Sequence, residues 1–322
     1  MLPQNVFPIV VPLLILALAL LIDFTIGEPP DRFHPTVWMG KVIAFLKPKT
    51  KSKNPRIEKL NGILLGLFIV TLFAFPVYFI LLLVQQYFGL VAYIVVAAIL
   101  LKPTFAIKCM DRYTLPIAKA IEQGNTDEAR QLLPYIVRRD PKKLEEQQII
   151  SATVESIAEG TVDGITSPLF YFALFGIPGA VAFRAINTLD SMVGYKDQEH
   201  INIGWFSAKM DTIANYVPAR LTAILMVIVA LILRENWRGC WRILQRDKNN
   251  TESLNAGWTM SAMAGALNIR LEKPGFYALG DNKDDLSPRH IKKALRIMKL
   301  TTILFSILTI FPLLILGMLI IN

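Results

Sequence analysis

Charge-free apolar runs alternate with compact polar blocks along this chain, and the alternation sets the predicted elements. Val6 to Ile22 is rich in Leu, Ile and Val and long enough to span, or nearly span, a bilayer. It has no basic n-region and no small-x-small cleavage site, so it reads as an uncleaved anchor over 6–22. Asn61 to Leu101 carries no charge and is too long for one crossing. It breaks near Gln85, Gln86 and Gly89, which predicts spans over 61–84 and 88–102 joined by a tight external turn. Gly164 to Phe183 is uncharged but interrupted by Pro168, Gly176, Pro178 and Gly179. Leu221 to Leu233 is apolar but short, and needs the preceding turn, hence 215–233, to cross. Leu300 to Ile321 is the final span. Between these runs, 103–148 is soluble in character and reads as an insert of amphipathic helices. Gly124-Asn125 makes a turn there, Thr126 to Leu133 continues as helix, and Arg138-Arg139 reads as a solvated face. The predicted class is all-α: a polytopic helical membrane protein with broken or re-entrant helices, one membrane-embedded domain over 1–322 and a cytoplasmic helical segment.

Composition agrees with this pattern. The chain is 53% hydrophobic and 18% charged, with mean hydropathy +0.45, too apolar for an ordinary soluble domain. Its net charge of +9 points to cytoplasmic loops facing anionic lipid, and secondly to an anionic substrate. No basic run is interleaved with aromatics, which argues against nucleic acid. Cys109 and Cys240 have no metal spacing and read as reduced structural thiols.

The segments 32–59, 102–148 and 234–299 are all basic, hence cytoplasmic, with the N-terminus outside. Residues 164–183 and 219–233 must then both cross or neither. If both cross, 184–218 faces outside and Asp190 and Asp211 are cut off from Glu155 and Glu159. The prolines and glycines favour broken or re-entrant helices buried in protein, which keep the acids on one cytoplasmic side of a multi-pass cell-membrane protein.

The candidate chemistry starts with Glu155, Glu159 and Asp163, four residues apart and on one face if helical. Three like charges there require a cation or a wet surface. Arg184, Asn187, Asp190 and Lys196 crowd the far end of the next apolar run. Asp211 and Asn215 are again four apart, with Arg220 following. Asn255 and Trp258 precede Ser261 to Ala266, a thin helix that packs tightly or lies on a flat ligand, tight packing being the commoner explanation. Near the first span, Asp23, Glu28, Asp31, Arg32 and His34 cluster among prolines, with Trp38 at an interfacial position. That segment reads equally as a rigid membrane-exit loop or as a substrate-binding lip.

Several chemistries lack their signatures. There is no phosphate-binding G-x-x-x-x-G-K-[ST] loop and no G-x-G-x-x-G after a strand. His34, His200 and His290 are scattered without zinc spacing, and no Ser-His-Asp grouping is evident. What remains is a carboxylate-rich set with Asn, Arg and Lys. Such a set suits Mg²⁺ held by one or two carboxylates plus substrate phosphate, with Arg184, Lys196 and Arg220 on the phosphate. That pattern predicts a Mg²⁺-dependent membrane enzyme acting on a phosphorylated substrate; a transporter with an intramembrane charge network is the alternative.

The blocks ESIAEGTVDGITSPLFY, GIPGAVAFRAINTLDSMVGYK, DTIANYVPAR and NAGWTMSAMAGALNIRLEKPGFYALG, with DFTIGEPPDRFHPTVWMG near the start, resemble the adenosylcobinamide-phosphate synthase family of cobalamin biosynthesis. The similarity runs nearly end to end and the blocks keep their order. The resemblance implies an integral membrane ligase. It joins the propionate carboxyl of adenosylcobyric acid to aminopropanol phosphate, or aminopropanol, with ATP activating the carboxyl.

On that basis Glu155, Glu159, Asp163 and Asp190 are expected to hold Mg²⁺, and Asp211 to take the ammonium proton. Arg184, Lys196 and Arg220 are expected on phosphate, with His34, Asn187, Asn215 and Asn255 binding substrate. Trp38, Trp258 and the small residues near Met263 are expected to face the corrin. Membrane lipid and the later membrane-bound corrinoid enzymes are the expected partners. A Mg²⁺-dependent membrane transferase of a phosphorylated alcohol and a non-catalytic corrinoid-binding protein are the alternatives.

Overall fold

The computed structural model describes residues 7–137 and 140–321, and they are helical except for one hairpin and the connecting turns. In chain order the first helices are α1 (Phe7–Thr25), α2 (Pro35–Thr50), α3 (Pro55–Leu101), α4 (Ile107–Glu122), α5 (Thr126–Leu132), α6 (Glu146–Thr161) and α7 (Ser167–Val193). Then come α8 (Trp205–Ala214), α9 (Tyr216–Ile232), α10 (Trp237–Asp247), α11 (Ala256–Leu267), strands β1 (Arg270–Lys273) and β2 (Tyr277–Gly280), α12 (Pro288–Phe305) and α13 (Phe311–Ile321).

Among the described residues, three helical stretches are long and apolar enough to cross a membrane: Pro55–Glu122, Glu146–Val193 and Pro288–Gly317. A fourth is added if Trp205–Ala214 and Tyr216–Ile232 form one broken span. The fold is therefore that of an all-α polytopic membrane protein. The apolar helix over Ile9–Thr25 is shorter than these, so the expected first span falls below the length of the others. The Arg138-Arg139 pair lies outside the described residues.

The chain clusters into two compact units. The first holds the chain up to Ala106, Ser167–Asn215 and the chain from Leu308; the second holds Ile107–Thr166 and Tyr216–Ile307.

In the first unit, helix starts follow from local chemistry. Pro35 opens α2 and Pro55 opens α3, positions where the missing N–H costs nothing. His34 Nδ1 accepts from Thr36 N at 3.2 Å, and Asn54 Oδ1 accepts from Arg56 N at 3.0 Å, capping the two helices. The long apolar run of α3 breaks at Gly89 (φ 76°, ψ −175°), where the sequence predicts a turn. Helix α7 breaks likewise at Phe175–Gly176, with Gly176 at φ 65°, ψ −161°. Only glycine holds that conformation without strain, so the apolar segment 164–183 contains a helical break. Lys47 Nζ, on α2, lies 2.6 Å from His200 Nε2 and 3.0 Å from Glu199 Oε1. The 194–204 connection is therefore held against α2.

In the second unit, α10 and α11 approach so closely that a Cβ on Gly265 would collide with the carbonyl oxygen of Gly239. Thr259 to Leu267 are all buried. The thin helix at Ser261 to Ala266 is thus explained by packing, and Met263, fully buried, offers no face to a flat ligand; that expectation is corrected. The sequence places only turns and close approaches around Gly275 and Gly280. The structure has an antiparallel hairpin there, pairing Leu271 with Leu279 and Lys273 with Tyr277 across a turn at Gly275 (φ 78°). The insert 103–148 forms α4, α5 and short 3-10 turns, with Gly124 (φ 72°) at the expected bend, and α4 buries Ile117, Ala118 and Ile121.

Candidate functional site

The predicted residues divide between the units. Glu155, Glu159, Asp163, Arg220, Asn255 and Trp258 belong to the second; His34, Trp38, Arg184, Asn187, Asp190, Lys196, Asp211 and Asn215 belong to the first.

In the first unit α7 and α8 present a connected polar line. Asn187 Nδ2 donates to Asp211 Oδ1 at 3.2 Å and Asn215 Nδ2 donates to Asp211 Oδ2 at 3.0 Å. Asn215 Oδ1 in turn accepts from Ser167 Oγ at 2.5 Å. Both carboxylate oxygens are thus oriented by carboxamides, and each keeps a lone pair for a further donor. The four-residue spacing of Asp211 and Asn215 produces one of these bonds directly.

Arg184 is held differently. Its Nη1 donates to Asn187 Oδ1 at 3.1 Å, while Nε (2.8 Å) and Nη2 both donate to the carbonyl of Thr104. The fork edge that would grip a phosphate is engaged by backbone, so the guanidinium braces Asn187. Asp190, half-buried on α7, folds over Gly194, where a Cβ would collide with its Oδ1. Lys196 is exposed just past the helix end.

At the membrane exit the cluster seen in sequence is real but differently composed. Lys102, after α3, is 3% exposed and lies 2.9 Å from Asp23 Oδ1 and 2.7 Å from Glu28 Oε1. His34 Nε2 lies 3.0 Å from Glu28 Oε2. Because Nδ1 accepts from Thr36 N, Nε2 carries the proton and donates to Glu28. Burial pushes the Glu28 carboxyl up, but the His34 hydrogen bond and the Lys102 ammonium outweigh it and hold its pKa below the ordinary value. Trp38 is exposed and donates through Nε1 to Arg32 O at 2.9 Å, an interfacial anchor geometry. Sequence reasoning missed Lys102, whose only local signal is a charge ending an apolar run.

In the second unit α6 carries the acidic face. Glu155 is buried; its Oε1 accepts from Ser151 Oγ at 2.7 Å and its Oε2 from Tyr277 OH at 2.6 Å. Ser151 Oγ also accepts from Glu272 N at 2.9 Å. Glu155 therefore pins the hairpin onto α6. Glu159, one turn on, is exposed, and Asp163 is half-buried in the π-helical turn Val162–Thr166 that follows. π-turns inside helices recur at functional sites.

Arg220 comes together with Asn255 and Trp258, which are distant from it in sequence. Arg220 Nη1 donates to Asn255 Oδ1 at 2.8 Å and to Tyr216 O at 2.7 Å. Its guanidinium carbon lies 3.5 Å from the Tyr216 ring centroid and 4.7 Å from that of Trp258.

Among the described residues no group of three or more His, Cys, Asp or Glu converges as a metal cage. Mg²⁺ needs no such cage when phosphate completes its shell. Glu159 is exposed and Asp163 half-buried, so both are reachable from solvent in that mode, whereas Glu155 is buried.

The comparisons with known proteins agree with the motif blocks. The family model "CobD/Cbib protein" matches residues 16–298. A "Probable cobalamin biosynthesis protein CobD" from Methanothermobacter thermautotrophicus is 40% identical, covering 91% of this chain and 95% of that protein. A "Cobalamin biosynthesis protein CobD" from Dehalococcoides mccartyi is 41% identical, covering 88% and 91%. A further relative from Thermoplasma volcanium, also named "Probable cobalamin biosynthesis protein CobD", is 41% identical, covering 92% and 96%. No solved structure matches. With the match running across Glu155, Glu159, Asp163, Asp190 and Asp211, the chain belongs to the CobD/Cbib family.

Proposed function

We propose that this protein acts in cobalamin biosynthesis as an amide ligase, joining the propionate carboxyl of adenosylcobyric acid to aminopropanol phosphate or aminopropanol with ATP as cosubstrate. The observation that carries the reading is family membership over residues 16–298, a span that contains Glu155, Glu159, Asp163, Asp190 and Asp211.

A carboxylate does not acylate an amine at neutral pH, so its oxygen must first leave as a better group. The propionate oxygen attacks phosphorus of ATP, giving either an acyl phosphate and ADP or an acyl adenylate and pyrophosphate. The amine nitrogen then attacks the acyl carbon and expels phosphate or AMP. The ammonium must lose a proton before it attacks, and Asp211, oriented by Asn187 and Asn215, is the proposed acceptor. Mg²⁺, held through Glu159 and Asp163 of the second unit, would neutralise charge on the transferring phosphate. Glu155 holds α6 against the hairpin and so keeps Glu159 in place one turn away. Lys196 remains the first unit's exposed candidate for phosphate.

The test is an amidation assay in detergent or membranes with adenosylcobyric acid, aminopropanol phosphate, Mg²⁺ and ATP, omitting each in turn. Product is expected only with all four. ADP with phosphate indicates the acyl phosphate, and AMP with pyrophosphate the adenylate. Corrinoid binding by folded protein without product would replace this reading with a binding role.

A further inference from the structure

In the second unit, two cations converge on one indole. Lys248 Nζ and the Arg220 guanidinium carbon each lie 4.7 Å from the Trp258 ring centroid. Like charges placed together are unfavourable unless the rings and a counter-ion offset them. Among the described residues neither cation forms an ion pair with a carboxylate. Lys248 donates to Gln245 Oε1 at 3.0 Å, and Arg220 to Tyr216 O, Asn255 Oδ1 and Leu254 O, all neutral oxygens.

A guanidinium has five N–H donors in a fixed fork. Those bonds occupy both Nη1 hydrogens and one on Nη2. Nε–H and one Nη2–H remain to donate to a further acceptor, and charge-assisted donation of this kind is what holds phosphate. Tyr216 and Trp258 fix the plane of the guanidinium, so little ordering is left for binding. Asn255 begins α11 yet makes no side-chain cap there; its oxygen faces Arg220 instead. A Cβ on Gly257 would collide with the carbonyl oxygen of Lys248, so the 248–255 turn rests directly on the first turn of α11.

We propose that Arg220, Lys248 and Asn255, on the Trp258 platform, bind a small phosphomonoester dianion, which on the amide-ligase reading is the phosphate of the amine substrate. A phosphomonoester carries about −1.5 to −2 at neutral pH, matching two cations. A triphosphate–Mg²⁺ complex calls instead for carboxylates beside the phosphates, and these cations have none paired to them. Lys248 is the residue this adds, and Trp258 becomes a cation platform in place of a corrin platform.

The test measures binding to the full chain in detergent by calorimetry, with aminopropanol phosphate, aminopropanol, ATP, and phosphatidylglycerol vesicles as separate arms. Wild type should prefer aminopropanol phosphate over aminopropanol by about tenfold or more, the size of one or two charge-assisted hydrogen bonds. Lys248→Gln should remove about tenfold of that preference and Lys248→Arg should keep most of it, with ATP affinity alike in all three. An unchanged preference in Lys248→Gln overturns the site, as does a loss confined to ATP or to anionic vesicles. Binding needs no turnover, so the two readings fail separately. Lys248-dependent phosphomonoester binding without amide formation would sink the ligase and keep the site. Amide formation with Lys248-independent binding would do the reverse.

Discussion

Replacing Lys102 with Met should destabilise the first unit more than most single changes, because it strands two buried carboxylates. Lys102 is 3% exposed, and its partners Asp23 and Glu28 are 0% and 11% exposed. Water therefore cannot take over when the ammonium is removed. Breaking a buried pair by deleting one partner costs about 3–5 kcal/mol. Neutralising the partners as well, in Lys102→Met with Asp23→Asn and Glu28→Gln, removes the stranded charges and should recover most of that loss. The protein has two units, so a single global transition is not assumed. A first-unit probe is needed: Trp38 fluorescence, with the other four of the five tryptophans replaced, followed through denaturant titration in one detergent. A single variant within about 0.5 kcal/mol of wild type would refute the buried-pair argument. So would a triple variant as unstable as the single.

Four other outcomes follow from the same geometry. Tyr277→Phe leaves the Glu155 carboxylate short of one donor and should cost about 1.5–3 kcal/mol, read as loosened hydrogen exchange in the 270–280 hairpin; wild-type protection there would remove Glu155 as its anchor. Gly176→Ala forces a Cβ onto a left-handed position and should cost about 1–2 kcal/mol of thermal stability, whereas an unchanged melting temperature would mean that the break is not needed. Glu28 has a lowered folded-state pKa, so its stabilisation is present above the ordinary carboxylate value and lost as pH falls through the folded value; acid loss of the Trp38 signal should therefore flatten in Glu28→Gln, and an identical profile would contradict this. Asp211→Asn removes the proton acceptor and sets its new amide N–H2 against one of the two carboxamide donors, so kcat should fall by about 100-fold to 10,000-fold with corrinoid affinity kept; near-normal kcat would take Asp211 out of the chemistry.

Much of the fold is legible because membrane helices announce themselves locally. Long charge-free runs, the prolines at Pro35 and Pro55, and the glycines at Gly89 and Gly176 mark where helices start and break. The Asp211–Asn215 contact is legible for the same reason, since four residues on a helix is a fixed geometry. Long-range pairings are not. Nothing near Lys102 in sequence names Asp23 or Glu28 as its partners, and nothing near Glu155 names Tyr277. The hairpin over 270–280 stays hidden because its strands are only four residues each and each pairs only with the other. The acidic face is half-legible: Glu155 and Glu159 follow helical spacing, but packing buries one and leaves the other exposed. The π-helical turn then departs from α-helical spacing at Asp163, which no residue pattern signals.

The central claim is that the propionate carboxyl of the corrinoid is activated by ATP and then captured by an amine. Adenosylcobyric acid labelled with ¹⁸O in that carboxyl tests it in a single turnover with ATP, Mg²⁺ and aminopropanol phosphate. One ¹⁸O should appear in the released phosphate or AMP, and the other should remain in the amide carbonyl. Amide formed with no ¹⁸O in any phosphorus product, or ATP consumed with both labels still on a free carboxyl, would contradict it.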